Sequence, residues 1–166
     1  DLAREFNTRV IVTSAGQSAM PDDADERIDN ASQMVEATLK RGIDLADVFV
    51  DPLVFPIAVD SSYGLDSLSA IRGIRKRFGS GIRITGGMSN VSFGIPKRSV
   101  INTVFLVLAL EAGADSGIID PVMNPMSRVR EVDRSSLAFR LAQDALLGRD
   151  ESCSRYLAAW RAGELG

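Results

Sequence analysis

The chain has 166 residues, 45% of them hydrophobic and 25% charged, with a formal net charge of -3; it is of one-domain size, long enough to bury about two thirds of its unfolded surface. The acidic balance and the scattered Lys and Arg argue against a general nucleic-acid binder, no apolar run reaches the roughly 18 residues of a membrane span, and no signal peptide is expected. A single cysteine, Cys153, excludes an internal disulfide and fits a reducing cytoplasm, while the absence of histidine removes Ser-His-Asp, Cys-His and His-ligated zinc chemistry.

In chain order, short β-branched runs alternate with helical segments. Residues 9–14, RVIVTS, form an apolar run ending in hydroxyls and predict a strand. From Asp25 to Arg41, Ile28, Ala31, Val35 and Leu39 recur at helical spacing, with Pro21-Asp22-Asp23 leading in and Gly42 placed as a C-terminal cap. Residues 47–51, DVFVD, predict a second strand stopped by Pro52. Leu65, Leu68, Ile71, Ile74 and Phe78 stripe a second helix ended by Gly79. Residues 81–86, GIRITG, are a third strand, after which Pro96 opens a helix with Val100, Ile101, Val104, Phe105 and Leu108 on its inner face. Residues 116–120, SGIID, predict a fourth strand, followed by a helix near 130–147. A short terminal helix puts Cys153, Tyr156, Leu157 and Trp160 on one side; the expected division is the run of four βα units over 1–150 and this amphipathic helix over 151–166.

Four strand-helix units without a hairpin signal predict parallel strands joined by right-handed crossovers. In such sheets functional residues gather at the carboxyl edge. The strand ends there offer Thr13 and Ser14, Asp51, the stretch 85–90, and Asp120. No Gly-x-Gly-x-x-Gly follows the first strand, and GGMSNVSFG (86–94) lacks the Lys-Ser/Thr ending of a phosphate loop. The chain starts DLAREF, in what reads as the tail of an amphipathic helix. The expectation is a piece of a longer protein, or a chain that needs a second one.

Asp51 either closes a turn or, being an acceptor-only group, receives two hydrogen bonds from an amino-pyrimidine edge. Asn90 follows Gly86-Gly87-Met88-Ser89, where glycines allow a sharp turn and close approach of a ligand. Its side chain either settles a left-handed turn or serves as an amide that both donates and accepts. Arg98 and Lys97 read as solvated charges or as helix-start contacts, and Asp120 as a strand end.

DVFVDPLVFP (47–56), followed by GGMSNVSFGIPKRSVINTVFLVLALEAGADSGIIDP (86–121), closely resembles the pterin-binding methyltransferases. These are methyltetrahydrofolate:corrinoid methyltransferase and the folate-binding domain of cobalamin-dependent methionine synthase. The resemblance runs over essentially the whole chain. It implies an α/β fold, the C-terminal half of an eight-stranded βα (TIM) barrel of the dihydropteroate synthase-like type. It also implies that methyltetrahydrofolate and tetrahydrofolate are the substrates, with cobalamin carried by a partner corrinoid protein or module. By resemblance Asp51 binds the pterin ring, Asn90 hydrogen-bonds the methyl-bearing nitrogen as the catalytic amide, and Gly86, Ser89 and Arg98 complete the substrate-binding loop. The family's earlier Asp and Asn contacts have no counterpart, so the N-terminal half of the barrel, from the same parent chain or another subunit, is an expected partner; a homodimer is a further one.

Two other readings stay open. One is a non-catalytic half barrel that associates through exposed strand edges. The other is a dihydropteroate synthase-like enzyme, although that family's Ser-Arg-Lys run and strand-end His are not matched here.

Overall fold

The computed structural model describes residues 2–166. After a short helix α1 (Leu2–Glu5), strand β1 (Val10–Thr13) leads to helix α2 (Ala24–Leu39). Asp23 is the N-cap of α2, its side chain accepting from Glu26 N, while Glu26 reaches back to accept from Asp22 N at 2.8 Å. That reciprocal pairing satisfies two N–H groups at the start of the helix. Strand β2 (Val48–Asp51) and helix α3 (Tyr63–Phe78) follow, and α3 ends at Gly79 with φ 66. Strand β3 is only Arg83–Ile84, before helix α4 (Arg98–Ala112).

The strands pair in parallel in the order β1-β2-β3, with Val10 opposite Val48, Thr13 opposite Asp51, and Val50 opposite Ile84. Alternation fixes what each face does. Val12, Val48, Val50 and Ile84 are buried on the helical side, where α2, α3 and α4 pack in sequence. Ile11, Phe49 and Arg83 point to the opposite face, and Ile11 is 60% exposed there. Helices thus cover one face of this parallel sheet and leave the other open. With alternating strand-helix units, that arrangement is compatible with part of a TIM barrel.

The fourth unit differs from the expectation. Residues 116–120 form no strand, and their one ladder contact is an isolated parallel bridge between Gly87 and Ile118. Asp115 accounts for part of the shortfall. Its Oδ1 accepts from Ile84 N at 3.3 Å, the N–H that a fourth strand's carbonyl would use, while the backbone N–H groups of Ser116 and Ile118 still donate to Ile84 O at 3.2 Å and Gly86 O at 2.8 Å. The helix expected near 130–147 is two helices, α5 (Met126–Glu131) and α6 (Leu137–Leu146), separated by a turn in which Asp133 accepts from Ser135 N.

Helix α4 starts at Arg98, two residues later than Pro96. It is buried on nearly all sides because α3, α5 and α6 all pack on it. Helix α7 (Ser154–Arg161) turns Cys153, Tyr156 and Ala159 into the core, but Trp160 is 42% exposed and leaves the expected stripe. Asp150 organises this end, accepting from Arg155 N, Tyr156 N and Ser154 Oγ. Those hydrogen bonds hold its carboxyl below the usual range although burial alone would raise it. The Tyr156 hydroxyl lies 3.3 and 3.2 Å from the Pro96 and Lys97 carbonyls, tying α7 to the start of α4. No helix of the described residues is long and apolar enough to cross a membrane.

Candidate functional site

Asp51 is the last residue of β2 and, by alternation, points to the open face of the sheet at its carboxyl edge. Its carbonyl accepts from Ser14 N at 2.9 Å, which locks the ends of β1 and β2 together. Its Oδ1 accepts from Leu53 N, also at 2.9 Å. Burial pushes the carboxyl above its ordinary range, and the Leu53 N–H only partly opposes this. Leu53 itself sits at φ 61, a conformation that a leucine rarely adopts.

The Gly86-Gly87 step makes the site. A Cβ on Gly86 would lie 2.8 Å from Asp51 Oδ1, and one on Gly87 would lie 2.9 Å from the Asn90 amide nitrogen. At Gly86, where φ is also positive, a side chain would press on the anchored carboxylate; at Gly87 it would displace the Asn90 amide. The backbone just beyond β3 therefore runs against the carboxylate and, one residue later, against the amide. Asp51, Gly86 and Asn90 stand together at one end of the sheet.

Asn90 belongs to a 3-10 turn, Met88–Ser92. Its backbone N–H donates to Gly87 O and its carbonyl accepts from Phe93 N. The residue does not have the positive φ of a left-handed turn, so the purely conformational reading of this Asn does not hold. Its side chain is exposed and makes no hydrogen bond among the described residues.

Arg98, the first residue of α4, reaches back to this turn. Nε donates to Ser92 Oγ and Nη2 to Ser89 O, both at 2.9 Å, and the guanidinium lies 4.3 Å from the Phe93 ring centroid. Arg98 braces the Asn90 turn through its neighbours. Ser89 and Arg98 also border a cavity of ≈ 140 Å³ with Ser99, Asn102, Asp120 and Asn124. Asp120, expected as a strand end, instead closes a turn, its Oδ1 accepting from Val122 N and Met123 N. Lys97 points elsewhere, its ammonium on the Gly166 carbonyl.

Two features beside this site escaped the sequence. A buried amide pair, Asn102 donating to Asn124 Oδ1 at 3.3 Å, continues from Asn124 to Ser99 O and Thr103 Oγ1 and pins the loop after Asp120 to α4. The Ile101-Asn102 dipeptide inside an otherwise apolar helix was the available signal. The second is Arg27 in α2, fully buried against Phe55.

The sequence profile of a family described as "Pterin binding enzyme" matches residues 1–120. The chain belongs to that family. Asp51, Gly86, Ser89, Asn90 and Arg98 all lie within the segment that matches the pterin binding enzymes, whereas α5, α6 and α7 lie beyond it. Among curated proteins the chain is similar to the methylcorrinoid:tetrahydrofolate methyltransferase of Eubacterium limosum, with 29% identity over 157 residues, 95% of this chain and 54% of that protein. It is similar also to methionine synthase of Mycobacterium tuberculosis, 30% identical over 142 residues, 81% of this chain and 12% of that protein. Methionine synthase of Mycobacterium leprae is 28% identical over 144 residues, again 12% of its length. This pterin binding enzyme chain spans about half the length of the first relative and a small part of the other two.

Proposed function

We propose that the chain is part of an enzyme that moves a methyl group between methyltetrahydrofolate and the cobalt of a corrinoid carried by a partner protein or module. The observation that carries this reading is the convergence of the Asp51 carboxylate and the Asn90 amide on the Gly86-Gly87 step. The donor set fits a reduced pterin. An acceptor-only carboxylate, already partly desolvated, suits the amino-pyrimidine edge, which presents N–H donors. Gly86 lets the ring approach without a Cβ in the way, and Ser89 and Arg98 hold the loop that carries Asn90.

The corrinoid, when its carrier docks, supplies the cobalt that accepts or gives the methyl group. The chain's own residues act on the pterin nitrogen. Breaking the nitrogen–carbon bond leaves an electron-rich amine, a poor leaving group unless a donor stabilises it. The Asn90 amide, which makes no hydrogen bond among the described residues, would donate to that nitrogen and strengthen the bond as charge develops. No histidine is required. The open face and the unpaired outer edge of β1 support a further part of the barrel completing the pocket, from a longer parent chain or another subunit.

The test is transfer of labelled methyl from methyltetrahydrofolate to reduced cobalamin, together with titration of methyltetrahydrofolate, run with and without the N-terminal half of a family barrel supplied in trans. Binding and transfer that appear on complementation support the proposal. A complemented protein that binds no reduced pterin refutes it. A second reading, a non-catalytic half barrel, is favoured by the 60% exposure of Ile11 beside an open edge; it predicts stable association without methyl transfer.

A further inference from the structure

Helix α2 carries Arg27 into a place that is unfavourable for a charge. The side chain is 0% exposed, and Nε, Nη1 and Nη2 have no hydrogen-bond partner among the described residues. Buried charges are ordinarily paired, since desolvation is otherwise uncompensated. The close contact that favours a cation here is aromatic: the guanidinium carbon lies 4.8 Å from the Phe55 ring centroid. Burial lowers the proton affinity of Arg27, and Asp66, Tyr63, Asp23 and Glu26 counter it through space. An unbranched apolar side chain would fill the same volume without the desolvation penalty. Stability is therefore a poor explanation for a guanidinium at this position.

Phe55 is the other half of the contact. Its ring meets Tyr63 edge-on, with centroids 5.3 Å apart at 67°, so it is held between α2 and the start of α3. It lies two residues beyond Leu53, in the turn that leaves β2. That turn contains a leucine at φ 61, which must be held from outside to persist. The far end of the segment is anchored by Ile57 N donating to Val91 O at 3.0 Å. Between these anchors, Leu53 N–H is the group that aims the Asp51 carboxylate.

We infer that Arg27 is a positioning residue: by clamping Phe55 it holds the strained turn after β2 and, through the Leu53 N–H, fixes the orientation of Asp51. Its consequence for ligand binding rests on the pterin reading above; its geometry does not.

The experiment therefore has a ligand-free arm and a ligand arm, both in the full-length protein. In the first, hydrogen exchange of the Leu53 amide is followed with Tm. R27M is expected to speed that exchange on the order of tenfold, the scale of a lost buried cation–π contact, with Tm unchanged or raised. R27K, which keeps a cation over the ring, should stay within about threefold of wild type. F55L, which removes the ring and keeps the arginine, should match R27M and serves in its place if R27M does not fold. The double variant should add nothing further. In the second arm, R27M and F55L weaken methyltetrahydrofolate binding on the order of tenfold while R27K largely restores it. Leu53 exchange unaffected by R27M and F55L, or additive effects in the double variant, would overturn the clamp. A protein that binds no pterin but shows the exchange pattern keeps the clamp and loses the pterin reading.

Discussion

Asp51 ends a strand, is half-buried, and has an N–H aimed at its carboxylate; Asn90, on the other side of the same Gly-Gly step, is exposed and its side chain makes no hydrogen bond among the described residues. One group is fixed before any ligand arrives. The other is free to turn. A fixed, partly desolvated carboxylate suits recognition, because its orientation is set in advance and the ligand need not order it. A free amide suits the reacting atom, because its hydrogen bond can lengthen or shorten as charge moves. The sharpest way to break this contrast is Asn90→Ala in the complemented enzyme. Turnover should fall on the order of 10²–10³, as for a lost oxyanion-hole donor, with pterin affinity and Tm nearly unchanged. Equal losses in turnover and affinity would make Asn90 a ground-state contact, the role proposed for Asp51.

Asp51→Asn is the complementary test. Pterin affinity should fall roughly 10–100-fold, the scale of a hydrogen bond to a charged group. Stability should move the other way. A carboxyl whose pKa is raised by burial contributes stability that is complete below the ordinary carboxylate pKa and lost as pH rises through the raised value. At neutral pH the wild type therefore carries a penalty that the amide relieves, so Tm of Asp51→Asn should rise. The same shift predicts that pterin affinity of the wild type weakens on acidification at a pH above the usual carboxylate range. Calorimetric titration across pH checks this, and a binding curve flat through that window would detach Asp51 from the ligand.

What the sequence made legible divides along similar lines. Strands and helices with clear periodicity, such as 48–51 and 63–78, fall where the pattern places them. Residues 116–120 carry a strand-like composition and pair in part, but the Asp115 carboxylate takes the Ile84 N–H, and a competition of that kind has no signature in periodicity. Asp51 and the Gly86–Asn90 loop were readable because strand-end position and a long motif point to one rim. Arg27 was not, since the stripe of Ile28, Ala31, Val35 and Leu39 leaves a charged residue on the outside by habit. Spacing alone put it with Ala31 and Val35, four and eight residues on, and the structure buries all three.

Gly86→Ala tests the step between the two groups. The backbone there has φ 152, and the added methyl would stand 2.8 Å from Asp51 Oδ1. Affinity should fall about tenfold as the carboxylate is displaced, with a stability loss of about 1–3 kcal/mol from the strained backbone. Asp51→Asn and Gly86→Ala thus weaken the same binding with opposite changes in Tm. Matching signs would mean that the carboxylate is not under desolvation strain.

Arg98→Ala should have the smallest effect, and its size measures how free Asn90 is. Arg98 holds the turn by donating to Ser92 Oγ and Ser89 O, with its guanidinium stacked on Phe93. None of these contacts is to Asn90 itself. Removing them leaves a looser turn that still presents the amide part of the time, so turnover should fall roughly threefold to tenfold, as for one or two exposed hydrogen bonds of about 0.5–1.5 kcal/mol each. The loss should appear in turnover more than in pterin affinity, since Asp51 is anchored through β2 and Leu53 instead. Arg98→Lys should not rescue it, because an ammonium cannot span both acceptors and stack as the planar guanidinium does. A loss as large as that of Asn90→Ala would place Arg98 on the ligand rather than behind the loop.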